Sequence, residues 1–540
     1  MTDHFANFAV SQVASPALTT TSNSLTLSPG TGAKFPNAPF SVLLGDPTAT
    51  YEIVQCTAIS GDTLTITRHQ EGTVAGNWGI GASVAQVVTA GNLTNIWSEL
   101  DHRGVFNAKD YGAVGDGATD DTSAINATIS ACVAAGGGVV DLPPGIFATS
   151  GPIIISGDLV ELRGAGAVAG NTNAARLGAT IIQPMSGATY DAIRTPLPPT
   201  IGTAGYVVYG AHVRDLTIDC THMTGTVSGQ GNGLHFYGVR YGLVENVNVF
   251  HSPNWAFLFD GDSTNYAYNS SMFNCTAGQC AAGVRWSNSE QGVAINCIFE
   301  GANTACAAPQ PYGSASPTTY AALIYCNTGW CRIISCNIGT SGSYTGEALL
   351  VDNGETCMIA NNVFDAIHGV AIKLTAGGHT VMGNAIRGPG TTTAGPAISV
   401  GSSNNTIIGN VVQVVGAHMT YSIQEFSAQT NNVISGNVLV AGTSGVVAPN
   451  TGSTGLRIQN NSGYNPVGHS VAQPAIPAST TAQTNQSGVD CMVYVSGGTV
   501  SAIAVNGTTT GLTSGAFRVP SGATITLTYS SAPTWQWFGE

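Results

Sequence analysis

The sequence predicts an all-β chain built on a parallel solenoid, and three observations carry that prediction. The first is a phrase repeated between Val213 and Val438: a short apolar strand, a small polar turn, then a second strand with a special residue at a fixed place. It reads Val381-Met-Gly-Asn384-Ala-Ile386, Ile407-Ile-Gly-Asn410-Val-Val412 and Ile434-Ser-Gly-Asn437-Val-Leu439. The second is spacing. Upstream the same slot holds Leu216, Val247, Cys275, Cys297, Cys336 and Asn362, and the steps run 31, 28, 22, 39, 26, 22, 26 and 27 residues. That is the period of a coil whose single turn cannot bury its apolar face without neighbours. The third is composition: only 8% of residues are charged and 69 are Gly, which suits short strands and tight turns rather than helical bundles.

Residues 1–88 read as a small β domain. Short alternating runs, Ser24-Leu-Thr-Leu27 and Thr63-Leu-Thr-Ile-Thr67, sit between turn residues. Residues 89–103 read as a helical neck, with Leu93, Ile96, Trp97 and Leu100 on one face. A second helix is expected from about Thr122 to Ala135. Its apolar face is Ile125, Ile129, Cys132 and Val133, Asp120 or Asp121 supplies its cap, and it covers the open end of the first coil.

The coil itself is expected over 104–469. Its first strands are Leu234-His-Phe236, Phe257-Leu-Phe259, Val284-Arg-Trp286, Leu349-Leu-Val351, Ile372-Lys-Leu374 and Ile398-Ser-Val400. Alternation sends the outer two residues of each inward and the middle one outward. The outward column then reads His235, Leu258, Arg285, Ile324, Leu350, Lys373, Ser399, and its aliphatic members need cover, which a neighbouring subunit or a folded loop supplies. Slot residues stack along the coil, cysteines first and asparagines after, and stacked amides satisfy one another. Insertions at 260–271 and 300–320 break the repeat. Residues 470–540 alternate again and read as a compact β domain.

Net charge is −14 with three lysines and no basic stripe, which argues against nucleic acid as a ligand. No apolar run reaches membrane-spanning length, and no basic-plus-apolar leader opens the sequence. The twelve cysteines read as small core residues rather than a metal site, since no CxxC pair accompanies them, while Cys326 with Cys331 and Cys275 with Cys280 have spacings that also allow a disulfide.

The segment Asp110-Tyr-Gly-Ala-Val-Gly-Asp-Gly…Asp120-Asp-Thr, then a helix, Gly-Gly-Gly-Val-Val and Leu142-Pro-Pro-Gly, resembles the opening of the pectate-lyase-like superfamily. That resemblance implies a right-handed parallel β-helix with an N-terminal capping helix. The family includes many phage tailspikes and capsule depolymerases, typically homotrimers. The Arg68-His-Gln-Glu-Gly-Thr73 end of the first domain resembles phage-tail attachment modules. Gly511-Leu-Thr-Ser-Gly-Ala-Phe-Arg-Val-Pro520 with Trp535-Gln-Trp-Phe538 resembles C-terminal modules of minor tail proteins. Together these imply a virion tail protein that contacts a host surface polysaccharide and joins tail or baseplate proteins through its N-terminal domain. The catalytic motifs of polygalacturonases and pectate lyases are absent, so the resemblance transfers no catalytic residue.

Glycan hydrolysis needs two carboxyl groups roughly 5–9.5 Å apart. Adjacent coils lie about 4.8 Å apart, so carboxylates one or two coils apart on one edge suit the task. The edge between first and second strands carries Asp260, Asp262, Glu290, Asp352 and Glu355, with Tyr266, Tyr268 and Trp330 to stack on sugars. Glu290 and Glu355 share one slot. A second edge, after the second strand, carries Asp219, Glu300 and Asp365 with His251 and His368. Hydrolysis at the first edge needs no cofactor. Elimination would draw on Arg285, Arg332, His251 or Tyr268, with Ca²⁺ as a candidate partner for a uronate. A receptor-binding or structural tail protein with an inert groove is the non-catalytic alternative.

Overall fold

A computed structural model describes residues 4, 6, 9–93, 104–168, 178–224, 229–301, 322–340, 347–352, 355–389, 394–413, 418–450, 452–464, 471 and 473–540. The chain divides into two compact units, Met1–Arg103 and Gly104–Glu540. Most of the expected neck (94–103) and of the second insertion (302–321, with Pro309, Pro311 and Tyr312) lies outside the described residues.

The first unit is a six-stranded antiparallel sheet. Its order is Val10–Gln12, Ser83–Gln86, Phe40–Gly45, Tyr51–Ser60, Thr63–Gln70, Ser24–Thr26. Leu25, Phe40, Val42, Leu44, Val54, Leu64 and Val84 form its core. Within that core lies one carboxylate, Glu52. It takes hydrogen bonds from Arg68 Nε at 2.8 Å, Arg68 Nη2 at 2.5 Å and Trp78 Nε1 at 2.9 Å.

In the second unit each turn of the coil adds one strand to an eleven-stranded parallel sheet and two to a twenty-two-stranded sheet. This is the parallel β-helix that the period predicts. The two strands in the larger sheet are separated by one left-handed residue: Asn246, Asn274, Asn296, Ser335, Asn361, Gly383, Gly409, Gly436 and Asn460, with φ between +51° and +66°. Asn and Gly tolerate that region best, which explains the small polar turn in the repeated phrase.

The slot residue follows immediately and points inward. Asn362 Nδ2 donates to Asn384 Oδ1 at 3.0 Å, Asn384 to Asn410 at 2.9 Å, Asn410 to Asn437 at 3.0 Å, and Asn437 to Asn461 at 2.8 Å. Each amide also donates to a strand carbonyl of the preceding coil, as Asn384 does to Ile359. The ladder thus satisfies every buried amide, and it extends one rung past the four read from sequence. Upstream, the Cys297 thiol stacks between those of Cys275 and Cys336, and each of the three donates to a strand carbonyl. The eleven described cysteines are free, and no cluster of three or more His, Cys, Asp or Glu among the described residues is placed to hold a metal.

The helix runs Thr122–Ala134, and Ile125, Ile129 and Cys132 are fully buried in the same core as the coil strands. Asp120 takes the Thr122 amide at 3.1 Å, while Asp121 turns back to the amides of Val114 and Gly115. After the helix, a Cβ on Gly138 would meet the Gly104 carbonyl oxygen at 2.4 Å, so only glycine permits that close approach.

The outward column of the first-strand sheet differs from the expectation in one member. Arg285 pairs with Tyr325, and Tyr325 with Leu350, so Ile324 points into the core. The insertion before this strand removes the local count that would set its phase. The column is also already covered: Leu258, Tyr325 and Leu350 are buried within the single chain, with Trp255, Ala282 and Ala322 beside them. It therefore makes no demand for a neighbouring subunit.

The C-terminal residues form a four-stranded and a three-stranded antiparallel sheet around Cys491, Val493, Ile503, Phe517, Ile525, Leu527 and Trp537. They join the last coil through Ile458 N to Gly488 O and Ser521 Oγ to Leu456 O, both at 2.7 Å. Among the described residues no helix is long and apolar enough to cross a membrane.

Candidate functional site

The residues of the first edge fall into two separate places, and the reason is strand alternation. Asp260 ends a first strand and Asp352 directly follows one, and both share the outward face with His235, Arg285 and Tyr325. Glu290 and Glu355 come later, each just before a left-handed residue that opens the next strand.

That left-handed position stacks through four coils: Asn269 (φ +54°), Gln291 (+60°), Trp330 (+60°) and Thr356 (+55°). Amides link the stack, from Asn269 to the Glu290 carbonyl at 2.8 Å, Gln291 to Gly329 at 3.2 Å, and Trp330 to Glu355 at 2.8 Å. Glu290, Gly329 and Glu355 therefore occupy one position in three successive coils. The two carboxyl-bearing residues stand about 10 Å apart along the backbone, by the spacing of adjacent strands. Gly329 places no side chain between them.

Trp330 is 48% exposed, and a tryptophan held in the left-handed region is an uncommon, costly conformation of the kind that gathers at functional sites. Beside it lies a groove of about 430 Å³ lined by Asn269, Gln291, Val293, Trp330, Arg332, Thr356 and Met358. An exposed indole, an arginine and two amides supply a stacking face and hydrogen-bond donors. Tyr266 lies at this edge too. Burial, and a hydrogen bond to Glu290, push its hydroxyl up to about 12, so it stays a donor to that carboxylate. Tyr268 pairs in register with Glu290 and packs edge-to-face on Tyr241 at 5.8 Å.

The second place is the outward face of the first-strand sheet. His235 Nδ1 lies 2.8 Å from Asp191 and Nε2 2.8 Å from Asp260, all three buried. Arg285 follows two coils after His235. Its guanidinium carbon sits 4.9 Å above the Tyr325 ring and 6.0 Å from that of Trp255. Its Nε is buried without a hydrogen-bond partner, and no ion pair joins it to a described carboxylate. Asp352 accepts from Tyr325 at 2.8 Å and from Thr375 at 2.9 Å. Asp262 is a structural residue. It takes the Tyr237 hydroxyl and the amides of Gly202, Thr264 and Asn265, which hold its pKa well below the usual range despite burial.

On the second edge, Glu300 and Asp365 again share a register position across a glycine, Gly339. Asp365 leans on Arg387 at 3.6 Å, and the His368 amide donates to Thr340. Asp219 is buried, held by Thr221 and Gln183, with His251 bridging Thr221 and Gln279. Among the described residues no aromatic of that edge is exposed as Trp330 is.

Asp191 and Tyr237 were not read from sequence as partners, because Asp191 and His235 stand 44 residues apart with no spacing rule to join them. Gln291 and Thr356 had a usable signal: each follows one of the paired glutamates.

Extended parallel sheets wound into a coil, with a groove beside Trp330 and paired carboxylates on an edge, define a parallel β-helix protein. Residues 105–332 match the family model described as rhamnogalacturonase A/epimerase, pectate lyase-like. The chain thus carries a pectate-lyase-like domain.

Three curated relatives come from Azotobacter vinelandii. Mannuronan C5-epimerase AlgE3 is 64% identical over 47 residues, 9% of this chain and 3% of the relative. Mannuronan C5-epimerase AlgE6 is 38% identical over 117 residues, 21% and 12%. Alginate lyase 7 is 38% identical over 157 residues, 28% and 17%. The chain therefore spans less than a fifth of the length of each. Among solved structures, ORF18 of Geobacillus virus E2 covers 67% of both chains at 16% identity and a TM-score of 0.45. The A-module of Azotobacter vinelandii AlgE4 covers 68% of this chain and 100% of its own at 19% and 0.41. The Streptococcus pneumoniae surface adhesin PfbA covers 62% and 86% at 15% and 0.42.

Proposed function

We propose that this chain is a phage tailspike that binds a host cell-surface polysaccharide and hydrolyses it along the edge between first and second strands. One observation carries the chemistry: Glu290 and Glu355 stand at one register position two coils apart, with side-chain-free Gly329 between them and Trp330 beside them. A separation near the upper end of the hydrolase range leaves room for a water and favours inversion. In this reading a sugar ring stacks on Trp330. Glu290, held by Tyr266, takes a proton from water as the water attacks the anomeric carbon. Glu355 gives a proton to the departing glycosidic oxygen as the carbon–oxygen bond breaks.

The virion setting rests on the sequence resemblances of the first domain and the C-terminal module. The reading takes the coil as right-handed, the Thr122–Ala134 helix as its cap and the spike as a homotrimer in the virion tail, joined to tail or baseplate proteins by its first domain. Copies would pack through an apolar stripe on the larger sheet, where Ile298, Val363, Met382, Ile408 and Val438 are exposed, since the first-strand column is covered.

A second reading, β-elimination of a uronate, is favoured by Arg285, whose guanidinium has no ion-pair partner among the described residues and could take a carboxylate beside the Asp191–His235–Asp260 cluster without Ca²⁺. The test is product formation on purified host envelope polysaccharide. New reducing ends without unsaturated-uronate absorbance, lost in Glu290→Gln and Glu355→Gln, support hydrolysis. Absorbance lost in Arg285→Gln supports elimination. Retained binding with neither product leaves an adhesin.

A further inference from the structure

The Trp535-Gln-Trp-Phe538 run does more than fill the C-terminal core. Alternation buries Trp535 and Trp537, and turns Gln536 and Phe538 to the other face of the three-stranded sheet. Register across that sheet sets two outward rows. One is Arg518, Met492, Phe538, and the other is Ala516, Tyr494, Gln536. Tyr494 is 50% exposed and meets Phe538 edge-to-face, with ring centroids 5.7 Å apart and planes at 87°. No described residue hydrogen-bonds the Tyr494 hydroxyl or the Gln536 amide. Ala516 leaves the flank of the Tyr494 ring open.

We propose that this face is a second glycan site, a platform for a neutral pyranose. The size fits. Three strands and two outward rows span about 10 by 7 Å, the footprint of one or two sugar rings. A stable protein interface needs about 800 Å² per partner, which two rings do not provide. The chemistry fits as well. An aromatic face takes the C–H face of a sugar, and the free hydroxyl and amide at its rim take the sugar's own hydroxyls. The charge selects a neutral ligand: Arg518 is paired at 3.0 Å with both Asp490 and Glu540, so its positive charge is more than offset. The module is hydrogen-bonded to the last coil, so a long polysaccharide could hold the platform and the groove at once, and linked sites raise avidity without new contacts.

The inference rests on the glycan reading but not on hydrolysis, and its test separates the two. Full-length Glu290→Gln protein would be run by affinity electrophoresis in gels containing dextran, mannan, galactan or host envelope polysaccharide. The expected result is retardation on at least one gel. In that background Tyr494→Ala and Gln536→Ala should each weaken it about tenfold, while Tyr494→Trp retains it. Unchanged melting temperatures would show that the exposed substitutions leave the fold intact. Retardation unaffected by Tyr494→Ala, or absent on every gel, overturns the platform. Tyr494-dependent retardation by a protein whose unsubstituted form yields no product would overturn hydrolysis and leave the platform standing.

Discussion

Asp191 and Asp260 grip one imidazole between them, each 2.8 Å from a ring nitrogen of His235. Burial disfavours the charged ring, but Asp260 and Asp191 outweigh it and push His235 up to about 9. The folded value thus lies above the ordinary histidine value of about 6.5. The stabilisation is complete below about pH 6.5 and is lost as pH rises through about 9. Thermal unfolding should therefore show a loss of stability between pH 6.5 and 9 that His235→Gln removes. Deleting the ring with His235→Ala leaves two buried carboxylates without their cation and should cost about 3–5 kcal/mol at neutral pH, measured by denaturant unfolding.

The asparagine ladder gives a contrast between two adjacent residues. Asn384 is fully buried and holds a strand carbonyl below and Asn410 beside it. Asn384→Ala strands those partners and should cost about 1–3 kcal/mol. Asn361, one residue before the slot in the preceding coil, is exposed and left-handed at φ +56°. Asn361→Gly keeps that conformation, so its denaturation midpoint should stay close to that of the unsubstituted chain. A large loss at Asn361 would mean that its exposed side chain, and not the buried ladder alone, holds the coil together.

The same contrast explains what the sequence made legible. Period, slot and inward strand residues are local properties, and the left-handed bend shows itself as Asn or Gly at each repeat. The shared position of Glu290 and Glu355 was readable for that reason. The phase of the strand at Tyr325 was not, because a long insertion precedes it and a shift of one residue exchanges the two faces. Nor was the split of the carboxylates. Asp260 and Glu290 look alike as turn acids, yet one ends a strand facing His235 and the other precedes the left-handed bend at Gln291. Pairings such as Asp191 with His235 arise only when coils stack.

The first unit carries its own lock. Glu52 is fully buried, and burial alone would raise its pKa. Hydrogen bonds from Arg68, Trp78, Gly76 and His69 instead hold it at about 2. A depressed carboxylate stabilises above its unfolded value, about 4.3, and loses that contribution as pH falls through about 2. Arg68→Ala should destabilise the unit by about 3–5 kcal/mol at pH 7, because it leaves Glu52 buried without its cation. The change should appear in Trp78 fluorescence during denaturant unfolding of the full chain.

Gly329 offers the most direct test of the proposed chemistry, because it can be filled without touching either glutamate. A Cβ there would meet only the Glu355 backbone, at 3.7 and 3.9 Å, which is ordinary van der Waals contact. Gly329→Val should therefore fold normally and keep its melting temperature. Its methyl groups would stand in the gap between Glu290 and Glu355, where the water and the glycosidic oxygen belong in the proposed mechanism. Product formation should fall by about 10²-fold or more, comparable with Glu290→Gln or Glu355→Gln, since removing a general acid or base typically costs about 10²–10⁴. Gly339→Val on the other edge is the control, because it fills the matching gap between Glu300 and Asp365. If Gly339→Val abolishes product formation and Gly329→Val does not, hydrolysis belongs to the second edge. If both variants retain it, neither carboxylate pair is catalytic and the outward face around Arg285 is where the chemistry must be sought.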